Sequence, residues 1–572
     1  MLHKRIIFIL SFLVVSTVAT AQNIDVDGLM NIKERKAFRL SGGISAGSTY
    51  YQASEMYGRQ PFTYQLTGNL NISLYDLINI PLSVNLNNYG SQYTYPSLPN
   101  RLSLYPSYKW IKACIGDVSM SFSPYTLSGH MFTGGGVDLT PGKWNIMAMG
   151  GRLLRRVDFD SENPGVPPTY DRWGAGAKVR YNGGKFFAGA SFFTAKDQAK
   201  ETFFAADSMG IFPKNNIATS IEGGVNITSN LRLSAEYAIS ILSRDIRPVI
   251  LVEGDNDNDM VGRKTEENHY SALKASLDYT FRKNTIGLGY ERIDPQYATL
   301  GAYYFNNDFE NITLNYARPL FSGKANIALN GGLQRDDLDG SKESRSVRWV
   351  GSANLTYAPA EKLNMALSAS TFQGHRLIKS QFDYINQTTP YDNLDTLNFT
   401  QISQNIDFNL NWRIRSSKLA TQNITFFASY QEAADKQGGY ILPGNLSRFL
   451  NASTIYSMDL TPVNTIFNLG FNVSNNYSNR SNFLTLGPIF AMNVKMFKKT
   501  LMTGLSFSFN RSIEKSVPVA DVYNCRWNAN MRFLKRHAVQ ASAMYQQQKR
   551  TVQGAVKETH SFTAQLGYTC SF

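Results

Sequence analysis

Between Phe62 and Leu74 the side chains alternate without a break. Phe62, Tyr64, Leu66, Gly68, Leu70, Ile72 and Leu74 hold even positions, and Thr63, Gln65, Thr67, Asn69, Asn71 and Ser73 the odd ones. A period of two sends successive side chains to opposite faces of a strand, so this segment has one apolar and one polar face. The pattern returns at Leu82, Val84 and Leu86 and at Leu505, Phe507 and Phe509. It is fullest at Ile406, Phe408, Leu410, Trp412 and Ile414, set against Asp407, Asn409, Asn411 and Arg413. Soluble sandwiches alternate as well, so the periodicity narrows the fold to all-β and no further.

The connections narrow it more. Tight turns at Pro141–Lys143, Asn182–Lys185, Thr228–Asn230, Ser322–Lys324 and Pro359–Lys362 are interleaved with long polar stretches at 158–171, 198–216, 248–267, 376–397 and 436–447. Short turns at one end and long loops at the other are the mark of a membrane barrel, with the short ones on the periplasmic side. Spacing predicts about 26 antiparallel strands, within a range of 22 to 28, in one transmembrane β-barrel over residues 37–572. The last strand alternates from Phe562 through Ala564, Leu566, Tyr568 and Cys570 to the terminal Phe572. Phe572 is therefore expected to serve as the assembly signal read by the barrel-assembly machinery.

The chain's start fits export. Lys4 and Arg5 precede the apolar run Ile6–Val15, and Ala19-Thr20-Ala21 is a small-x-small cleavage site, which reads residues 1–21 as a signal peptide. Residues 22–36 are then a short periplasmic arm, with no room for a globular plug or periplasmic repeats ahead of the barrel. No later run of about 18 apolar residues offers a spanning helix. Hydrophobic residues make up 43% of the chain, yet mean hydropathy is −0.27, and there are 35 Phe and 31 Tyr. Alternating strands with aromatic girdles need that mixture.

The formal charge of +14 falls by two, to +12, when Lys4 and Arg5 leave with the signal. Anionic lipid accounts for it, and no nucleic-acid partner is expected. Cys114, Cys525 and Cys570 are an odd number in an oxidising compartment and fit neither a disulfide framework nor a zinc motif, so free thiols are expected.

One segment stands apart from the repeat. It runs from Tyr105 through Trp110, Gly116-Asp117, Met120–His130 and Gly134–Gly136 to Trp144 and Gly150–Arg155. This stretch resembles a group of large outer-membrane barrels of Bacteroidetes, and the resemblance implies an address and a fold without implying an activity. Its glycines remove side chains where another segment can approach the wall. Ser123 to His130, with Pro124 and Gly129 as bends, is expected either to form a tight external hairpin or to fold into the lumen as a constriction. In the second case Asp117, His130, Arg152 and Arg155 would line it with polar groups.

Other chemistry is thin. Asp255, Asp257 and Asp259 alternate in an external loop and are a weak calcium candidate, because Met260 stands where an EF-hand loop wants glycine. Only five histidines follow the signal, none beside a familiar nucleophile, so no catalytic residue, metal or cofactor is expected. The composition points to an outer-membrane channel or translocation conduit with a narrowed lumen, since about 26 strands enclose more space than their side chains fill. The alternative is a scaffold whose aromatic loops, with Tyr303–Phe305 and Phe382–Tyr384, hold a lipoprotein, a glycan or another barrel. A barrel enzyme is the remote third.

Overall fold

The computed structural model describes residues 36–55, 60–88, 101–158, 168–198, 210–247, 267–303, 305–341, 347–371, 402–433, 436–437, 440–441, 446–478, 481–552 and 555–572. The expected signal peptide and periplasmic arm up to residue 35, and Asp255, Asp257, Asp259 and Phe382–Tyr384, lie outside the described residues.

Every wall strand pairs antiparallel with its neighbours along the chain, a two-stranded hairpin at Lys436–Gln437 and Tyr440–Ile441 standing outside the wall sheet, and the first strand, Phe38–Ala53, pairs with the last, Ala555–Ser571, from Gly43 opposite Ser571 to Ala53 opposite Ser561. The sheet is thus a closed barrel with no edge. Arg101–Leu104 and Ser107–Tyr108 are two pieces of one wall strand, each lying between Ile78–Asn87 and Ile111–Ser121. Counting them together, the wall has 26 strands. Phe572 completes the seam: its N–H donates to the Gly42 carbonyl at 3.0 Å, and its own carbonyl accepts from the Gly42 N–H at 2.9 Å.

Alternation now has a direction. Leu329, Leu469, Phe490, Trp527 and Leu566 are exposed on the outside, whereas Asn472, Asn510 and Gln546 are buried on the inside. Among the described residues no helix is long and apolar enough to cross a membrane, and crossing falls to the strands. The tight turns gather at one end: Trp144 N–H reaches Pro141 O, Gly183 N–H reaches Phe186 O and Lys324 N–H reaches Phe321 O.

At the other end the expected rhythm of long loops fails towards the C-terminus. Leu501–Glu514 and Val517–Phe533 are joined by Lys515 and Ser516 alone. There the strands lengthen instead, to 17 residues in Val517–Phe533 and Ala555–Ser571. A tilted strand needs only about 9 to 11 to cross the bilayer, so these walls project beyond it. All three cysteines are free, with Cys114 buried.

Candidate functional site: a buttressed sector of the lumen

The connection between Ile111–Ser121 and Ser128–Leu139 turns inward. Phe122 N–H donates to Leu127 O at 2.8 Å and Thr126 N–H to Ser123 O at 3.3 Å, which closes a tight turn with Pro124 at its second position, a place that suits proline's fixed φ. Phe122, Ser123, Tyr125, Thr126 and Leu127 are all buried, while Pro124 stays exposed at the apex.

What buries them is the inner face of strands further round the wall. Lys178, on Arg172–Asn182, donates to the Phe122 carbonyl, and the Ser123 hydroxyl donates to Glu236 on Leu231–Ser243. The Tyr125 hydroxyl donates to Glu291 on Asn284–Ile293 at 2.6 Å. Gly176 explains how the ring of Phe122 fits: a Cβ there would stand 2.8 Å from Phe122 Cε2 and 2.6 Å from the Phe192 carbonyl.

A second connection, between Asn284–Ile293 and Phe309–Leu320, folds in to meet the first. Tyr297 donates its hydroxyl to Tyr125 O at 2.8 Å, Thr299 donates to Thr126 O at 2.7 Å, and Ser128 N–H donates to Gly301 O at 2.9 Å. Leu127 and Gly301 form a parallel bridge, and only glycine fits at 301, where a Cβ would stand 2.5 Å from Thr126 O. Asn216 ties this second segment to the wall: its side-chain oxygen accepts from Leu300 N–H at 3.1 Å and its Nδ2 donates to Ser240 and to Ile241 O.

The space between the two segments and the wall is filled by apolar side chains. Val118, Met120, Phe122, Leu127, Phe132, Met149, Leu153, Phe193, Leu242 and Leu300 pack as one apolar cluster inside the barrel. Burial of this kind stabilises by roughly 25 cal/mol per Å², and the polar groups that border it are paired. Lys178 Nζ sits 2.9 Å from Glu222, and Arg172 grips Asp197 through two bonds of 2.7 and 3.0 Å. Burial, and then the neighbouring Glu291 carboxylate, push the Tyr125 hydroxyl well above the usual phenol range; burial, and then Glu236, do the same to Tyr297. Both remain hydrogen-bond donors at neutral pH.

Of the residues singled out in the sequence, Ser123, Pro124 and His130 lie in this sector. His130 is 1% exposed, donates Nδ1–H to Met131 O at 2.7 Å, and stacks on Tyr303 at 4.1 Å between ring centroids. Gly129, at φ +64°, supplies the bend that returns the chain to the wall.

Two others face outward, and a third lies beyond the end of its strand. Asp117 shares the outward face with Ile115, where it accepts from the Thr133 hydroxyl at 2.7 Å and the Leu102 N–H at 3.1 Å. Arg152 stands in register with the outward Trp173 and lies 3.8 Å from Asp171 at the rim. Arg155 is exposed in the external connection, its carbonyl accepting from Thr169. The polar lining expected from them is supplied instead by Lys178, Glu222, Glu236 and Glu291.

The rest of the inner wall is different in kind. From Phe309–Leu320 round through the seam to Ile78–Asn87, inward positions carry mostly Asn, Gln, Ser and Thr. Asp407, a carboxylate among them, is held by Ser429 at 2.8 Å and Asn405 at 2.7 Å. Among the described residues no group of three His, Cys, Asp or Glu side chains could hold a metal ion.

A closed wall with an apolar outside and a polar inside makes this chain a large β-barrel of the outer-membrane type. No protein-family model matches it, and no curated protein is significantly similar in sequence. Solved structures with a similar fold include the P pilus usher (PapC) translocation pore, with a TM-score of 0.40 and 9% identity over 93% of this chain and 99% of that one. A ferric enterobactin receptor (PfeA) mutant from Pseudomonas aeruginosa gives 0.36 and 9%, over 93% and 80%. OccAB4 from Acinetobacter baumannii gives 0.28 and 11%, over 71% and 99%. The likeness is one of barrel architecture alone.

Proposed function

We propose that the protein is an outer-membrane channel or translocation conduit whose lumen is narrowed on one side by a fixed buttress. The observation that carries this reading is the division of the inner wall. Both inward segments and the apolar cluster lie against the strands from Ile111–Ser121 to Asn284–Ile293, and the remaining wall keeps a mostly polar inner face. A hydrated interior is what a pore requires.

The geometry supports a static narrowing. With strands about 4.8 Å apart and tilted about 40°, a circular 26-strand wall is roughly 50 Å across. The buttress bridges seven strand-to-strand steps, from Ser128–Leu139 to Asn284–Ile293. A chord over that arc cuts off about a tenth of such a section. Conductance of the purified chain in planar bilayers tests the reading: large steps are expected, rising by about a tenth when Phe122 to Leu127 are replaced by a short glycine linker. Silence in both proteins would overturn the conduit, and a severalfold rise would place the segment across the pore instead of along its wall.

A further inference from the structure

On the lumen wall at the seam lies a recess of about 430 Å³, shared by the first two strands and the last three. Two glycines make it. Gly47 and Gly567 stand opposite each other in register, on the inward parity of their strands, and a Cβ on either would meet nothing closer than 3.8 Å. Neither has a positive φ, so the backbone there accepts any residue and glycine serves only to leave room. Around the gap stand Thr49, Gln65, Asn528, Gln540, Ser542 and Gln565.

These side chains share a chemistry. Amides and hydroxyls each offer a donor and an acceptor, and none carries charge. Arg526 is the one cation in the lining, and no carboxylate stands in it. Bonds within the recess are sparse: Ser542 donates to Gln565 at 3.3 Å, and Gln65 donates to Asn85 outside it, also at 3.3 Å. A ligand matching this surface is neutral and rich in hydroxyls, because each hydroxyl likewise donates and accepts. A cation would find no carboxylate and an anion only Arg526, and an apolar ligand would strip amides of their hydration without replacing it.

A second feature lies further along the same polar wall. Phe449 and Phe483 stand in register on either side of the inward Asn476, close to the external ends of their strands. Two strand spacings put these rings about 10 Å apart, a platform on which the apolar face of a sugar ring can stack.

We propose that the recess at Gly47 and Gly567 is a binding site for a neutral oligosaccharide entering along this wall. The assignment rests on the conduit reading for access, and its test is separable from that reading. Titration calorimetry on the detergent-solubilised full chain, with maltohexaose, an oligogalacturonate of equal length and a polyethylene glycol of equal hydrodynamic size, reads binding without any current. Maltohexaose is expected to bind, and the other two are not.

Gly567→Phe fills the recess without a backbone clash and is expected to weaken maltohexaose at least tenfold. Gln540→Ala with Gln565→Ala, which leaves the gap open but removes two amides, should weaken it about fivefold. Preference for the oligogalacturonate, no binding of maltohexaose at millimolar concentration, or undiminished binding by both variants would overturn the site. If sugar binds a barrel that passes no current, the conduit fails and the recess stands; if current flows and sugar does not bind, the reverse holds.

Discussion

Leu127→Ala probes how the buttress is held. Leu127 is fully buried at the meeting of the two inward segments, packed in the cluster that contains Phe122, Phe193 and Leu300. Removing a buried leucine side chain costs the lost transfer energy plus the cavity left behind, about 2 to 5 kcal/mol. Near 3 kcal/mol, the open form of the buttress grows by roughly two orders of magnitude, at about 1.4 kcal/mol per tenfold.

Native-state hydrogen exchange by mass spectrometry reads that change, because local opening exposes amides that the closed form protects. The reporting amides are those of Phe122 and Ser128, bonded to Leu127 O and Gly301 O, and that of Leu300, bonded to Asn216. Exchange in peptides covering residues 121–130 and 297–303 should quicken about a hundredfold together, since each segment is the other's lid. Peptides from Leu501–Glu514, across the lumen, should not change. A change under threefold, or one confined to a single segment, would refute the packing argument.

Two further outcomes follow from the same contacts. Tyr125 and Tyr297 have raised pKa values when docked, so they favour docking fully below about pH 10, and that contribution is lost as pH climbs above it. Difference absorbance at 295 nm between wild type and Tyr125→Phe should show Tyr125 ionising above the range of exposed tyrosines, and ionisation with the others near pH 10 would contradict its burial beside Glu291. Deleting Phe572 removes both bonds to Gly42 that finish the seam. The heat-modifiable barrel recovered from membranes should fall severalfold, and an undiminished yield would show that the terminal aromatic is dispensable for assembly.

Much of the barrel was legible because each strand carries its own inside and outside. Ile406 to Ile414 and Phe562 to Cys570 announce their faces by polarity alone, and turns such as Pro141–Lys143 announce theirs by residue type. The buttressed sector defeats that logic for a physical reason. Once Phe122 and Leu127 cover the inner wall, Val118, Met120, Phe132 and Met149 face inward although they are apolar, so hydrophobicity no longer separates lipid from lumen.

Register shifts at Ser119/Ser121 and Arg152/Leu154 compound the difficulty, since one extra residue reverses every face beyond it. Asp117 and Arg152 are polar residues on the outward face of strands whose inward neighbours are apolar, so polarity alone points them to the lumen. The inward fold of Ser123 to His130 left a trace in its neighbouring glycines, whereas Asp294 to Asn307 left little. Tyr297 and Thr299 matter through contacts some 170 residues away in sequence, which no local pattern records.

As a conduit, the barrel has an open aqueous path along its polar wall. Asn528→Cys, placed on that wall in a chain carrying Cys114→Ala, Cys525→Ala and Cys570→Ala, tests it directly when treated in proteoliposomes with membrane-impermeant maleimides of increasing size. Reagents of a kilodalton or more are expected to label rapidly, and maltohexaose to slow the labelling. Failure of even the smallest reagent to reach Asn528→Cys would contradict it.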